Sequence, residues 1–294
     1  MKKAFRFVIV VCLVSWAAFG IFYAACKGDI AGHKMAFTAF RMGYMLLPML
    51  TAMVMQKLDK EPFSSTGLLN FKPRWSWLTA VVLPPVLAVL ATFLSTLFPG
   101  VSLKYNPEQV ISIFFVDDVT AASMREQFLM IPAGVMILVT LVSGAVAGCT
   151  INALFAFGEE YGWRNYMVSA LHGKSFFTAA LTTGVVWGIW HAPIILMGHN
   201  YPQHPVAGVF MMTVFCLLLG FMELYMVKKT GSVVPAAIFH GSINAVCGAS
   251  LYFVEGGNDL TVGCTGTAGF IAMAIICLGI VIFDRTVSKD RIIV

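Results

Sequence analysis

The feature that most constrains this chain is a series of eight long apolar runs separated by short polar loops. A helix needs about 20 mostly apolar residues to cross a bilayer, and the runs are close to that length or longer. The runs lack the two-residue alternation of a membrane barrel strand, so we expect helices that pair their own backbone groups. They cover approximately residues 7–25, 35–56, 76–98, 128–157, 176–197, 206–227, 233–253 and 265–283.

The composition supports the same class of protein. Hydrophobic residues make up 59% of the 294 residues and charged residues only 11%, against roughly 25% charged in a soluble domain. An ordinary soluble enzyme, a disordered chain and a disulfide-rich secreted module are therefore excluded. We predict an all-α fold, a polytopic membrane helix bundle of about eight transmembrane helices, with membrane lipid around it and no nucleic-acid partner.

The positions of Lys and Arg predict an orientation. If the N-terminus is inside, the inner segments contain 14 of the 19 Lys and Arg residues and the outer loops only 4, with Arg41 inside the second run. Positive residues favour the cytoplasmic side of a membrane protein. Both termini are therefore predicted to be cytoplasmic. The short loops and the lack of a eukaryotic targeting signal favour the bacterial inner (plasma) membrane.

Ionisable residues inside a bilayer are costly and suggest a functional site. The first such cluster ends the fourth run, where Glu160 and Arg164 are four residues apart and can pair on one helix face. Glu159 is turned about 100° away and lacks that partner. An interfacial charged helix end is the alternative for this cluster. Glu223, near the end of the sixth run and close to Lys228 and Lys229, is interpreted as part of a local ion pair or as an interface residue, with a role in substrate entry as the alternative.

Two further clusters lie in later apolar runs. His191 follows Trp187 by four residues, and Asn244 follows His240 by four. Taken alone, His191 could be a satisfied core histidine, and the last pair a polar contact between helices. Helix rises counted from the turns near Gly173 and Gly231 predict that all three clusters lie at a similar depth, nearer the cytoplasmic side.

That geometry requires the fourth helix to continue through Glu159 to about Leu171. A straight helix over 128–171 would be about 66 Å long, twice the thickness of a bilayer. We therefore expect a break, with Gly144 and Gly148 as the candidate positions. The part before the break, to about Ser143, either spans the membrane or lies along the outer interface.

Together the three clusters resemble the CAAX-protease and bacteriocin-processing family of intramembrane proteases, also called the Abi family. The resemblance covers about residues 151–250, and the second motif begins with Trp where the family often has Phe. The family pattern reads here as Glu159-Glu160-Tyr-Gly-Trp-Arg164, Trp187-Gly-Ile-Trp-His191 and His240-Gly-Ser-Ile-Asn244.

The resemblance implies hydrolysis of peptide bonds within the membrane. Glu159, helped by His191, would activate a water, since a carboxylate in a low-dielectric site binds a proton more tightly than it does in water. His240 and Asn244 would stabilise the tetrahedral oxyanion. Glu160 and Arg164 would have a supporting role.

A metal-dependent variant uses some of the same residues. Glu159, His191 and His240 could supply three ligands to a divalent metal such as Zn²⁺, with water as the fourth. The pattern fits this variant and the metal-free glutamate mechanism equally well, and we favour slightly the mechanism without an obligatory metal.

The remaining expectations concern domains and partners. Residues 1–125 are predicted to form N-terminal transmembrane helices without a motif, and residues 126–294 the catalytic core. The substrate would be a membrane-associated or lipid-modified peptide or protein, with the active site towards the cytoplasmic side. The alternative is a non-catalytic membrane transporter or scaffold, for example one that gives bacteriocin immunity without proteolysis.

Overall fold

The computed structural model describes residues 2–63, 70, 77–114 and 118–293. About 75% of the described residues are helical. The helices are α1 (Lys2–Ala25), α2 (Lys34–Tyr44), α3 (Leu47–Leu58), α4 (Leu78–Ser95), α5 (Pro107–Phe114), α6 (Asp118–Leu129), α7 (Ala133–Cys149), α8 (Ile151–Glu160), α9 (Val168–Ala170), α10 (Phe176–Trp190), α11 (Ala192–Leu196), α12 (Pro205–Thr230), α13 (Val234–Val246) and α14 (Thr267–Thr286). Single-turn 3₁₀ segments occupy Ala31–His33 and Cys247–Leu251, and a π-helical segment, Tyr161–Met167, joins α8 to α9.

The strands are minimal. Ser102–Leu103 (β1) pairs antiparallel with Val254–Glu255 (β2) and fastens two loops at one end of the bundle. By length and apolar composition, six of the described helical spans could cross a membrane, or seven if the bent pair of α6 and α7 counts as one. The shorter apolar helix α10 has 15 residues. The predicted polytopic all-α membrane bundle is confirmed.

The predicted break in the fourth run lies at a different residue. The helix is interrupted at Thr150, which has φ −123° and ψ −101°, whereas Gly144 and Gly148 lie within α7. These two glycines are contact positions, because a Cβ at Gly144 would come within 2.5 Å of Val246 and one at Gly148 within 2.3 Å of Ser242. The prediction of a break was right, but both candidate positions were wrong. A second bend, of 118°, separates α6 from α7.

Beyond the break, the helix continues past Glu159 as predicted, through the π-helical segment to Ala170. α13 packs along α7, α8 and α4, while α10 packs along α12 and α14 against α4. Local signals set these boundaries. The Ser175 hydroxyl caps α10 by accepting a hydrogen bond from the Thr178 amide at 3.2 Å, and Gly231 ends α12 with φ +63°.

Ion pairs between charged residues of the termini and loops lie at two ends of the bundle. At one end, Lys3 pairs with Glu61, and Arg6 with Asp59 at 3.2 Å. At the other end, Lys104 pairs with Glu255 at 2.8 Å. This agrees with the predicted alternation of loops, while the end that faces the cytoplasm stays a prediction. Lys72 and Arg74, two of the cations counted as cytoplasmic, lie outside the described residues.

The main hydrophobic cluster includes residues from both halves of the sequence, among them Phe7 and Tyr44 from the N-terminal helices and Trp163 and Trp190 from the later ones. The rings of Phe7 and Trp163 are 5.5 Å apart, and those of Tyr44 and Trp190 are 4.4 Å apart. The helices without a motif therefore pack directly against the helices that carry the motifs.

Candidate active site

Two adjacent carboxylates end α8. Glu159 and Glu160 are 2% and 0% exposed. Arg164, also fully buried in the π-helical segment, donates from Nη1 to Glu160 Oε1 at 3.3 Å. The predicted pairing of Glu160 with Arg164 is confirmed. π-Helical turns are rare and often occur at functional sites.

Glu159 has a different partner. Its Oε2 accepts a hydrogen bond from Trp187 Nε1 at 2.5 Å. The guanidinium of Arg164 lies over the same Trp187 ring, with Cζ 4.1 Å from the ring centroid. Within the described part of the chain, Glu159 Oε1 has no hydrogen bond. Trp187 therefore joins the first and second motifs, and the two carboxylates have distinct surroundings.

His240 joins the third motif to the first. Its Nδ1 lies 2.9 Å from Glu160 Oε1. An ionised carboxylate only accepts hydrogen bonds, so Nδ1 donates. The Trp187 and His240 rings are 5.2 Å apart and inclined by 62°. Since Nδ1 donates its hydrogen bond to Glu160, the second ring nitrogen, Nε2, is available for another contact.

His191 stands where α10 ends and α11 begins. Its Nδ1 lies 2.8 Å from the Trp187 carbonyl oxygen, which only accepts, so Nδ1 donates. In the neutral ring, Nε2 is then the acceptor. The thiol sulfur of Cys216 on α12 is 3.8 Å from His191 Nδ1. The geometry therefore holds one nitrogen of His191 and leaves the basic one for chemistry.

Glu223 is a site residue that sequence reasoning misplaced. It was interpreted as part of a local ion pair or as an interface residue near Lys228 and Lys229, but it is fully buried and forms an ion pair with Arg164 Nη2. Its Oε1 is 3.9 Å from His240 Nδ1. The interpretation was wrong because it considered only neighbours on the same helix. The signal that could have found it is an acid flanked by apolar residues on both sides.

Asn244 lies apart from the buried cluster. It occupies α13 one turn beyond His240, as predicted, but its side chain is exposed, whereas His240 is 4% exposed. The structure thus brings together five of the six predicted residues: Glu159, Glu160, Arg164, His191 and His240. The sixth, Asn244, is exposed and is not among the buried residues of the cluster.

The donors that lie close enough to share a metal ion differ from the predicted set. Among the described residues, Glu160, Glu223 and His240 have ligand atoms within 4.8 Å of one another. Two carboxylates and an imidazole suit Zn²⁺ chemically. Arg164, however, already binds both carboxylates with its guanidinium, and a second cation there would meet that positive charge at close range.

Residues of the N-terminal helices, which carry no motif, form hydrogen bonds with Trp190 in the second motif. Tyr44 and Trp16 both donate to the carbonyl oxygen of Trp190, each at 3.2 Å. Trp190 in turn donates from Nε1 to Ser15 Oγ at 2.8 Å. Pro193 lacks an N–H, so the turn around His191 has fewer backbone bonds of its own. These contacts fix the residue next to His191, and no motif pointed to them.

Glycines let the helices approach closely enough for the cluster to form. A Cβ at Gly162 would lie 2.5 Å from Pro48, and one at Gly158 only 2.6 Å from the Met45 carbonyl oxygen. At Gly220 on α12, a Cβ would come within 2.7 Å of the Arg164 guanidinium. Close backbone approach is the reason for glycine at these positions.

Comparisons with known proteins agree with this site. Residues 135–246 match the family model "Type II CAAX prenyl endopeptidase Rce1-like". A curated relative, CAAX prenyl protease 2 of Methanococcus maripaludis, is 25% identical over 146 residues, which covers 40% of this chain and 52% of the relative. Both matches support the resemblance of this part of the chain to the CAAX-protease and bacteriocin-processing family.

The match has a limited extent. The chain spans about half the length of the curated relative it matches, and the matched segment lies within the predicted catalytic core of 126–294. The predicted division of the chain at residue 125 stays a prediction. The chain is an integral membrane protein, and a match to a protease family does not favour the transporter or scaffold alternative.

Proposed function

We propose that the protein is an intramembrane endopeptidase that hydrolyses a peptide bond in a prenylated or otherwise lipid-modified peptide. The observation that carries the proposal is the different surroundings of two adjacent buried carboxylates. Arg164 and His240 both bind Glu160 through Oε1, whereas Glu159 has no ion pair among the described residues and accepts a hydrogen bond only from the Trp187 indole. One carboxylate is structural and the other is available to react.

Glu159 acts as the general base. It takes a proton from a water molecule whose oxygen attacks the carbonyl carbon of the substrate. His191, with Nδ1 bound to the Trp187 carbonyl, offers Nε2 as a second acceptor for that water. When the C–N bond breaks, the proton held by Glu159 passes to the leaving amine, and the base is restored.

His240 and Asn244 stabilise the oxyanion of the tetrahedral intermediate. His240 is oriented by Glu160 through Nδ1, and its Nε2–H is the donor to the oxyanion in the imidazolium form. The amide of Asn244, one turn further along α13 and exposed before a substrate binds, is the second donor to the oxyanion. Aligned donors in a water-poor site contribute about 3 kcal/mol each.

Arg164 neutralises part of the charge of three buried acids. It binds Glu160 and Glu223 directly and lies over Trp187, whose indole binds Glu159. An uncompensated buried charge is strongly destabilising. Arg164 and Glu223 are therefore positioning residues that hold the reactive carboxylate in place.

The test uses the full-length protein in proteoliposomes with a peptide that ends in a prenylated Cys-Ala-Ala-X sequence. Glu159→Gln should lower the rate of cleavage about 100-fold or more. Asp284→Asn is the matched control, since it makes the same acid-to-amide change at a buried residue outside the cluster. Cleavage by Glu159→Gln at the wild-type rate per folded molecule would disprove the proposal.

Dependence on a metal is tested in the same assay. Because Arg164 occupies the carboxylates that could bind a cation, we expect a strong chelator to leave at least half of the activity. Complete loss on chelation, with recovery on adding Zn²⁺ alone, would replace the glutamate mechanism by a metal-dependent one.

A further inference from the structure

A second polar feature lies outside the active-site cluster, at the end of the bundle that carries both termini. There a pocket of about 470 Å³ is formed by the loop between α9 and α10, the end of α12 and the segment after α14. Four basic side chains from these three parts of the chain line it: His172, Lys174, Lys228 and Arg291.

The lining of this pocket contains no Asp or Glu. Nearby cations at the same end do have partners, since Lys3 pairs with Glu61 and Lys229 with Asp284 at 3.9 Å. Within the described ranges, Lys174, Lys228 and Arg291 form no ion pair and no side-chain hydrogen bond. Like charges that gather without a counter-ion repel one another, so this arrangement is suited to an anion.

The pocket is built by a specific fold of the C-terminal segment. Asp284, fully buried near the end of α14, accepts hydrogen bonds from the Ile292 and Ile293 amides at 2.9 and 2.8 Å. Tyr225 donates to the same carboxylate at 3.0 Å. These bonds turn the chain back against α12 and hold Arg291 at the pocket, opposite Lys174.

The inner wall of the pocket is apolar. Leu171 and Phe176 are 3% and 7% exposed, and both line it. Basic side chains beside an apolar wall are complementary to a molecule with an anionic headgroup and an apolar chain. α10 has 15 residues, so about 22 Å of helix separates Phe176 from His191. A ligand in this pocket is therefore remote from His191, although Val168 in the pocket wall is only one helical turn beyond Arg164.

We propose that this basic pocket binds a phosphate group, supplied by the headgroup of an anionic phospholipid or by a soluble phosphate compound. Lys and Arg bind phosphate by charge-assisted hydrogen bonds. Basic pockets between helices at the membrane surface recognise anionic headgroups in this way. The proposal does not depend on the protease activity.

The test is native mass spectrometry of the full-length protein released from micelles with equal amounts of phosphatidylglycerol and phosphatidylcholine. The test variant combines Lys174→Gln, Lys228→Gln and Arg291→Gln. The control variant combines Lys2→Gln, Lys57→Gln and Arg285→Gln, which removes three exposed cations elsewhere at the same end. Binding of inorganic phosphate to all three proteins is measured in parallel by equilibrium dialysis.

Wild type and control should retain phosphatidylglycerol in preference to phosphatidylcholine, and the test variant should lose that preference about tenfold. If only the binding of inorganic phosphate falls in the test variant, the source is a soluble phosphate compound and the site is supported. If test and control variants behave alike in both assays, general surface charge explains the binding and the proposal is wrong.

Folding of each variant is checked by its thermal unfolding midpoint. Should the triple variant fail to fold, the single changes Lys174→Gln and Lys228→Gln give the same readout with less perturbation. Each is expected to weaken retention of phosphatidylglycerol several-fold, and unchanged retention in both would also overturn the proposal.

Discussion

Two buried acidic networks in this protein differ in how fully their polar atoms are paired. Asp284 is fully buried, and it accepts hydrogen bonds from two backbone amides and the Tyr225 hydroxyl. In the active-site cluster, the buried Glu160 Oε2 and Arg164 Nε have no hydrogen bond among the described residues. Both networks bury a carboxylate, but only that of Asp284 is enclosed by donors from the protein itself.

The difference separates a structural acid from a functional one. Buried polar groups are normally hydrogen-bonded, and an exception needs an explanation. The bonds of Asp284 hold the C-terminal segment in place, so the saturation of its carboxylate fits a structural role. The active-site cluster keeps polar atoms that can bind water and substrate, and Arg164 forms ion pairs with two of its three acids.

The largest effect on the free energy of unfolding is expected from Arg164→Met. The change leaves the buried carboxylates of Glu160 and Glu223 without their cation, which should lower the free energy of unfolding by about 3–5 kcal/mol. Thermal or chemical unfolding in detergent micelles measures it. Arg285→Met, at an exposed position on α14, is the control and should change the stability little. A similar small loss for both variants would mean that the active-site cluster does not depend on its arginine.

Asp284→Ala should have a smaller effect on stability and little effect on chemistry. It removes the acceptor of two backbone amides, at a cost of about 1.5–3 kcal/mol. Limited proteolysis should then cleave the released C-terminal segment faster, while cleavage of the substrate per folded molecule stays near the wild-type rate. If Asp284→Ala lowered the rate of cleavage as much as Glu159→Gln, the distinction between a structural and a functional network would be wrong.

Gly188→Ala tests the packing on which the active-site cluster depends. A Cβ there would lie 2.4 Å from Thr213 Cα, a backbone atom that cannot move aside easily. Forcing α10 away from α12 should cost about 1–3 kcal/mol of stability and lower activity with it. Gly279→Ala on α14 is the matched control, since a Cβ there meets nothing within 4 Å. Equal stability of the two variants would contradict the close-approach argument.

Tyr44→Phe should have the smallest effect on stability and on the rate of cleavage. It removes one of two hydrogen bonds to the Trp190 carbonyl, worth about 0.5–1.5 kcal/mol, while Trp16 still donates to that oxygen. We expect a few-fold loss of activity from a less well held His191. Tyr23→Phe, at a more exposed tyrosine of α1, should have no effect on the rate of cleavage. Adding Trp16→Phe to Tyr44→Phe should deepen the loss, and an unchanged rate in the double variant would contradict the positioning role.

The helices of the fold and the pairing of residues along a single helix of the site follow from the sequence alone. The apolar runs require helices, because lipid offers no hydrogen bonds to an unpaired backbone. The spacing of four residues puts Glu160 and Arg164 on one face, and that pair forms as predicted. These inferences succeeded because each depends only on neighbours along a single helix.

Only the tertiary structure decided which helices supply the partners. The pairing of Glu223 with Arg164, the bond from Trp187 to Glu159 and the support of Trp190 by Tyr44 all join different helices. The position of the break also needed the tertiary structure, because Gly144 and Gly148 are sites of close approach to α13 and the helix is interrupted at Thr150. Contacts between helices depend on how their faces dock, and no periodicity within one helix encodes that.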